Sequence, residues 1–286
     1  MFGAYVDDEN KVQHGYASDR KSLKKFMGSK YVQSRIGDSY KIAKDFLEKG
    51  TIVFFTGTPC QIEGLKSYLM KDYSNLYTQD IICHGVPSPL VWEEYKKYRN
   101  TLDKKSPTNI CFRDKEKGWK EYNIVFNYDD YNYKEKATND LYMQAFLKNT
   151  SLRESCYQCL FKDENKISDI TLGDYWGIQN VHPELDDDKG ISAVIINSEK
   201  GKALIEQIKD EINCIETDYE EIKKYNSALI KSSPKDSNRD KFFRNLDKLP
   251  FDELVKKYTY KPSFFRKVIN KLKYELWKMI KNNKTS

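Results

Sequence analysis

The sequence predicts an α/β protein: a mixed, partly parallel sheet with flanking helices, plus a helical basic C-terminal tail. Three observations predict it. Residues 51–56 (TIVFFT) are a nearly unbroken apolar run, the pattern of a strand covered on both faces in a parallel sheet. Gly57-Thr58-Pro59-Cys60 follows, leading into Ile62, Leu65, Tyr68 and Leu69 at helical spacing. Thr58 suits an N-cap and Pro59 the first helical position. Residues 76–82 then read as a second strand, so 51–82 form a βαβ unit, expected to be right-handed.

The other elements follow in order. Residues 1–16 alternate weakly around Asp7-Asp8-Glu9-Asn10, a hairpin signal. Residues 17–26 read as helical, and 28–34 as a polar loop or short strand. Gly37-Asp38-Ser39 opens a helix with Ile42, Phe46 and Leu47 on one face, and Gly50 ends it. Ser88-Pro89 opens the next helix, through Leu102. Residues 109–113 and 122–128 read as strands, extended by a Tyr-rich hairpin over 129–137. A short helix over 140–147 precedes the Cys156-Tyr157-Gln158-Cys159 segment. Residues 167–172 and 191–197 read as strands and 199–212 as a helix. The lysine-rich stretch 214–262 has weaker periodicity. The expected organisation is one domain over 1–215 and a helical extension over 216–286.

Charge narrows the partners. The net charge is +6, but residues 263–286 carry seven Lys/Arg against one Glu, so the rest is neutral overall. A globally basic, nucleic-acid-binding body is therefore not supported. No apolar run approaches the ~18 residues of a membrane span, and the first residues lack the pattern of a signal peptide. A cytoplasmic location is the expectation. The tail spaces Phe265, Leu272 and Leu276 among lysines. Such a helix packs on its own domain or makes peripheral contact with an anionic membrane through 263–286.

Six cysteines occur, and reduced thiols outside a secretory context serve as metal ligands, catalytic groups or small buried hydrophobes. Cys60 is expected at the second position of a helix, where free N–H groups and the helix dipole favour thiolate. Cys83 closes the second strand of the βαβ unit. Parallel strands end on one side, so Cys60 and Cys83 share the sheet edge at which open α/β sheets bind ligands. Cys156 and Cys159 form a CxxC. Four thiolates suit a 4Fe-4S cluster or a tetrahedral zinc. The competing readings are a redox dithiol at the CxxC and four unrelated thiols. Cys111, in a strand, and Cys214, after a helix, read as ordinary thiols.

The order of motifs resembles the beta-subunit family of coenzyme F420 hydrogenases and dehydrogenases. The resemblance rests on Gly28-Ser29-Lys30-Tyr31-Val32-Gln33-Ser34, Phe55-Thr56-Gly57-Thr58-Pro59-Cys60-Gln61, Cys83-His84-Gly85-Val86-Pro87-Ser88-Pro89, Phe112-Arg113-Asp114-Lys115 with Gly118-Trp119, the CxxC, and Ser168-Asp169-Ile170-Thr171-Leu172-Gly173-Asp174-Tyr175-Trp176-Gly177. It implies an iron–sulfur oxidoreductase subunit that binds a 4Fe-4S cluster and FAD or a related flavin. Such a subunit passes electrons between a ferredoxin-like or other electron-transfer partner and a small-molecule redox acceptor. Bacterial members of similar style accompany surface-polysaccharide genes. Family members carry an upstream ferredoxin-like part with further cysteines, so this chain is expected to correspond to the C-terminal domain. Asn165-Lys166 stands where an arginine is expected. The metal set implied is Cys60, Cys83, Cys156 and Cys159. The cofactor contacts implied are Lys30, Tyr31, Thr56, Gly57, Thr58, Gln61, His84 and Asp174. Each has an ordinary reading beside it: a solvated lysine, a packed tyrosine, a plain strand-to-helix turn, turn caps at His84 and Asp174. The alternative function is a non-catalytic four-cysteine module, holding zinc or a cluster, that acts as an accessory interaction protein.

Overall fold

The computed structural model describes residues 1–259; the expected amphipathic tail at 263–286 lies outside them. A hairpin, β1 (Phe2–Val6) and β2 (Val12–Tyr16), precedes α1 (Ser39–Glu48), β3 (Val53–Thr56), α2 (Pro59–Leu69), β4 (Leu76–Ile81) and α3 (Pro89–Asp103). A three-stranded antiparallel sheet of β5 (Asn109–Asp114), β6 (Asn123–Asn127) and β7 (Asn132–Lys136) is followed by α4 (Leu141–Leu147). The chain continues through β8 (Ile170–Asp174), α5 (Ile178–Val181), β9 (Ser192–Ile196), α6 (Glu199–Gln207), α7 (Tyr219–Tyr225), α8 (Arg239–Arg244) and α9 (Phe251–Thr259).

The main sheet runs β2-β1-β3-β4-β8-β9. Its centre, β1-β3-β4-β8, is parallel, and β2 and β9 close its edges antiparallel. The C-terminal ends of β3, β4 and β8 therefore share one edge. The turn into α2 forms as its residues dictate. Thr58 and Gln61 make a reciprocal capping box, with Pro59 in the first turn.

Three differences from the sequence reading have physical causes. Only Val53 and Phe55 of the 51–56 run are buried, and Ile52 is 70% exposed. The face toward α1 and α2 is closed by Phe2, Ala43, Ile62, Leu65 and Leu69, while the other face is only partly covered. Residues 17–26 yield only a 3-10 turn over Ser22–Phe26, ahead of which Asp19 accepts from the Ser22 amide. The 199–212 helix stops at Gln207, with a 3-10 turn over Lys209–Glu211 after it.

The largest core fills the space between the three-stranded sheet, α3, α4, α8 and α9, around Trp92, Tyr95, Phe126, Tyr142, Phe242 and Leu254. Residues beyond 215 thus pack into the body of the protein. Ile222 and Leu229 do likewise in the core beside β8 and β9.

A buried polar seam joins β4 to β8. Asp169 is 3% exposed. One carboxylate oxygen accepts from the amide (2.7 Å) and hydroxyl (2.8 Å) of Thr78, and the other from Ser198 Oγ (2.6 Å). Ser198 in turn caps α6 by accepting from the Gly201 amide. No helix among the described residues is long and apolar enough to cross a membrane.

Candidate four-cysteine site

Three separate stretches deliver cysteines to the edge formed by the C-terminal ends of β3 and β4. Cys60 stands second in α2, exposed, with its sulfur 3.1 Å from Thr58 Oγ1. Cys83 follows β4 by two residues. Cys156 lies in a 3-10 turn over Glu154–Gln158, and Cys159 ends that turn.

The close fit of the second and third stretches depends on Gly85. Its φ is +135°. A Cβ there would press on Leu152 at 3.1 Å and Cys156 at 3.3 Å in a backbone conformation that strains any side chain, so glycine suits the place where the His84-Gly85-Val86 turn crosses the CxxC turn. Backbone bonds hold the crossing: Arg153 N–H donates to Val86 O (3.0 Å), and Ser88 N–H to Ser151 O (2.8 Å).

Electrostatics shows the sulfurs sharing one neighbourhood. Burial pushes the Cys83 thiol up to about 12; the Lys162 ammonium opposes this, and Cys60 and Cys156 add to it. Cys156 is raised by burial, opposed by the Val86 amide and Arg153, with Cys159 and Cys60 adding to it. The Gly85 amide favours the thiolate of Cys83 and the Val86 amide that of Cys156. Amides aimed at sulfurs are among the means by which proteins tune iron–sulfur sites. Cys111 lies instead beside Lys30, and Cys214 is exposed.

The donor set therefore fits a cluster: four thiols, backbone amides that favour the thiolate at two of them, and a cation alongside. Among the described residues no three His, Cys, Asp or Glu side chains converge as tightly as a single metal ion requires. Tetrahedral zinc with Zn–S of about 2.3 Å needs sulfurs roughly 4 Å apart; a four-iron core occupies more space.

The other singled-out residues have intramolecular partners. Lys30 Nζ donates to Lys25 O (3.1 Å) and Met27 O (2.8 Å), and burial lowers its pKa to about 8. The Tyr31 ring packs on Phe146 at 5.0 Å, and its carbonyl accepts from Tyr142. Thr56 donates to Phe2 O, and Gly57 N–H to Gln79 O. Thr58 N–H donates to the Gln61 amide oxygen, whose nitrogen donates to Ser34. The turn thus uses these donors on its own caps. His84 is 2.6 Å from Asn149 Oδ1 and edge-on to Phe146. Asp174 accepts from Arg113 and from the Trp119 indole, with Trp119 stacked on Trp176 at 4.8 Å.

Two features escaped the sequence reading. His14 sits behind the turn, 7% exposed, with Nδ1 2.8 Å from Ser34 Oγ, Nε2 2.8 Å from Thr56 O, and its ring stacked on Phe55. Its inward place beside Val12 in a two-residue alternation was the available signal. The second is Lys162, which donates to the carbonyls of Cys83 and Ala228; nothing in sequence joins positions so far apart.

Burial holds the His14 pKa below its ordinary 6.5. Unfolding therefore takes up a proton as pH falls below 6.5, and the stability present above that pH is lost below it. Wild type is expected to lose stability more steeply than His14→Gln between pH 7 and 5 in urea titrations. Equal slopes would show that His14 titrates alike in both states.

The sequence model for the C terminus of the coenzyme F420 hydrogenase/dehydrogenase beta subunit matches residues 50–222. The chain belongs to this family. The matched region contains all four cysteines of the site, and membership places the chain among oxidoreductase-type subunits. No curated protein matches it. Among solved structures it is similar to a chain of a xenon-derivatised F420-reducing NiFe hydrogenase complex from Methanosarcina barkeri. The TM-score is 0.50 and the identity 16%, over 85% of this chain and 78% of that one. At that identity the likeness is one of fold.

Proposed function

We propose that this F420 hydrogenase/dehydrogenase beta-subunit relative is an iron–sulfur electron-transfer subunit whose 4Fe-4S cluster is held by Cys60, Cys83, Cys156 and Cys159. The observation that carries the reading is the convergence of four thiols from three stretches on one sheet edge, within the family's matched residues. A bound cluster supplies one-electron storage. The chain's own residues do the rest. α2 places Cys60 in its first turn, the Gly85 and Val86 amides favour the thiolates of Cys83 and Cys156, and Lys162 offsets their negative charge. The donor is a ferredoxin-like or other electron-transfer partner and the acceptor a small redox molecule, as in an enzyme of polysaccharide assembly. The function is assigned to the domain read over 1–215, into which residues beyond 215 also pack, and its location to the cytoplasm.

The flavin part of the reading rests on the family alone. Lys30, Tyr31, Thr56, Gly57, Thr58, Gln61, His84 and Asp174 are the contacts proposed for FAD or a related flavin, and each already bonds or packs within the chain.

Anaerobic purification with iron, sulfide and flavin quantified tests the proposal. The expected protein is brown, with broad visible absorbance bleached by dithionite and about four irons per chain, as one cubane requires. Colourless protein with stoichiometric zinc would instead establish the non-catalytic four-cysteine module.

A further inference from the structure

The cysteine-bearing turns are held together by a stretch that lies beyond the family's matched residues. A 3-10 turn over Ser227–Leu229 leads into residues 230–233. Four positions there bond to the site. Ala228 O accepts from Lys162, which also donates to Cys83 O. Leu229 O accepts from Lys166, which also donates to Phe161 O. Ser232 Oγ accepts from the Cys159 amide at 2.9 Å, and Ser233 Oγ donates to His84 O. Leu229 and Ser233 are themselves buried, so the stretch is anchored. Each bond joins it to a residue that is, or adjoins, a cysteine of the β4 or CxxC stretch, or to a lysine after the CxxC.

We propose that residues 227–233 are a strap that fixes Cys83 and Cys159 in register, with Lys162 as the rivet through its middle. Apart from it, the β4 and CxxC stretches are joined by the crossing at Gly85 with its backbone bonds, by Lys162 donating to Cys83 O and by the contact of His84 with Asn149. The bonds of the strap run to backbone and lysine atoms; Ser232 and Ser233 are positioning residues. Lys162 adds a charge to that role. Its ammonium lies beside Cys83, so it favours whichever state of the site is more negative.

The thiol part of the proposal stands in cluster-free protein; the cluster part rests on the function proposed above. The test uses the full chain carrying Ser232→Ala with Ser233→Ala, and separately Lys162→Gln and Lys162→Arg. Reduced, cluster-free protein is pulsed with iodoacetamide and its peptides weighed. Two lost hydrogen bonds shift a local opening about tenfold, so Cys83 and Cys159 are expected to be alkylated about tenfold faster in the double variant. Exposed Cys214 should react unchanged, and thermal unfolding should confirm that the variant is folded. Reconstituted protein should lose iron to a chelator correspondingly faster. Lys162→Gln should move the midpoint potential to more negative values while Lys162→Arg keeps it, a distinction that loss of structure alone would not make. Wild-type alkylation rates at Cys83 and Cys159 in the double variant would overturn the strap. Wild type that takes up no iron would overturn the cluster reading and leave the alkylation result to decide the strap.

Discussion

Cys60→Ser, Cys83→Ser, Cys156→Ser and Cys159→Ser are each expected to remove most of the iron from anaerobically prepared protein, while Cys111→Ser and Cys214→Ser keep it. The asymmetry follows from where the sulfurs lie. Each of the first four lies within electrostatic reach of at least one other of the set, whereas Cys111 is linked to Lys30 and Cys214 is exposed. Serine keeps the shape of cysteine, but its hydroxyl does not ionise near neutrality, so it is a poor substitute for a thiolate on iron. The change is therefore one of ligand chemistry with little packing cost. Iron and sulfide per chain, with the visible spectrum, provide the measurement. Full iron in any of the first four would take that cysteine out of the set. Loss in Cys111→Ser would place the cluster on the Lys30 side of the three-stranded sheet, away from the β3 and β4 ends.

What the sequence made legible was local. The βαβ unit was readable because Gly57-Thr58-Pro59 punctuates an apolar run and a helical period, and parallel topology then puts Cys60 and Cys83 on one edge. The β5-β6 pair was readable as two strands, and Asn132–Lys136 as part of the Tyr-rich hairpin that extends them. The approach of the CxxC was not, because it depends on a glycine at φ +135° that lets two turns cross. Nor was the stretch at 227–233, whose bonds to the site are formed by backbone carbonyls and two serines. Such groups carry no pattern in a sequence, since every residue has a carbonyl. Asp174 illustrates the same limit. Its place at the end of β8 was clear, but its commitment to Arg113 and Trp119 required two distant segments to meet.

Asp169→Ala is expected to cost about 3 kcal/mol of folding stability, read as a lower urea midpoint at unchanged m-value. The buried carboxylate satisfies Thr78 N–H, Thr78 Oγ1 and Ser198 Oγ at once. Alanine leaves the Thr78 amide without a partner inside the seam, and a buried unsatisfied donor costs about 1–3 kcal/mol, with hydrogen bonds to a charged acceptor at the upper end. Loss of the Ser198 contact loosens the cap of α6 and adds less, about 0.5–1 kcal/mol. The effect reaches the site through geometry. Thr78 lies five residues before Cys83 on the same chain, and Asp169 ten residues after Cys159, so the seam sets how β4 and the CxxC stretch align. A purely structural role predicts lower stability with the midpoint potential of any bound cluster unchanged, once the variant is folded. Wild-type stability with a shifted potential would mean that Asp169 belongs to the redox site itself, and the seam would then have to draw its strength from the β4–β8 backbone ladder alone.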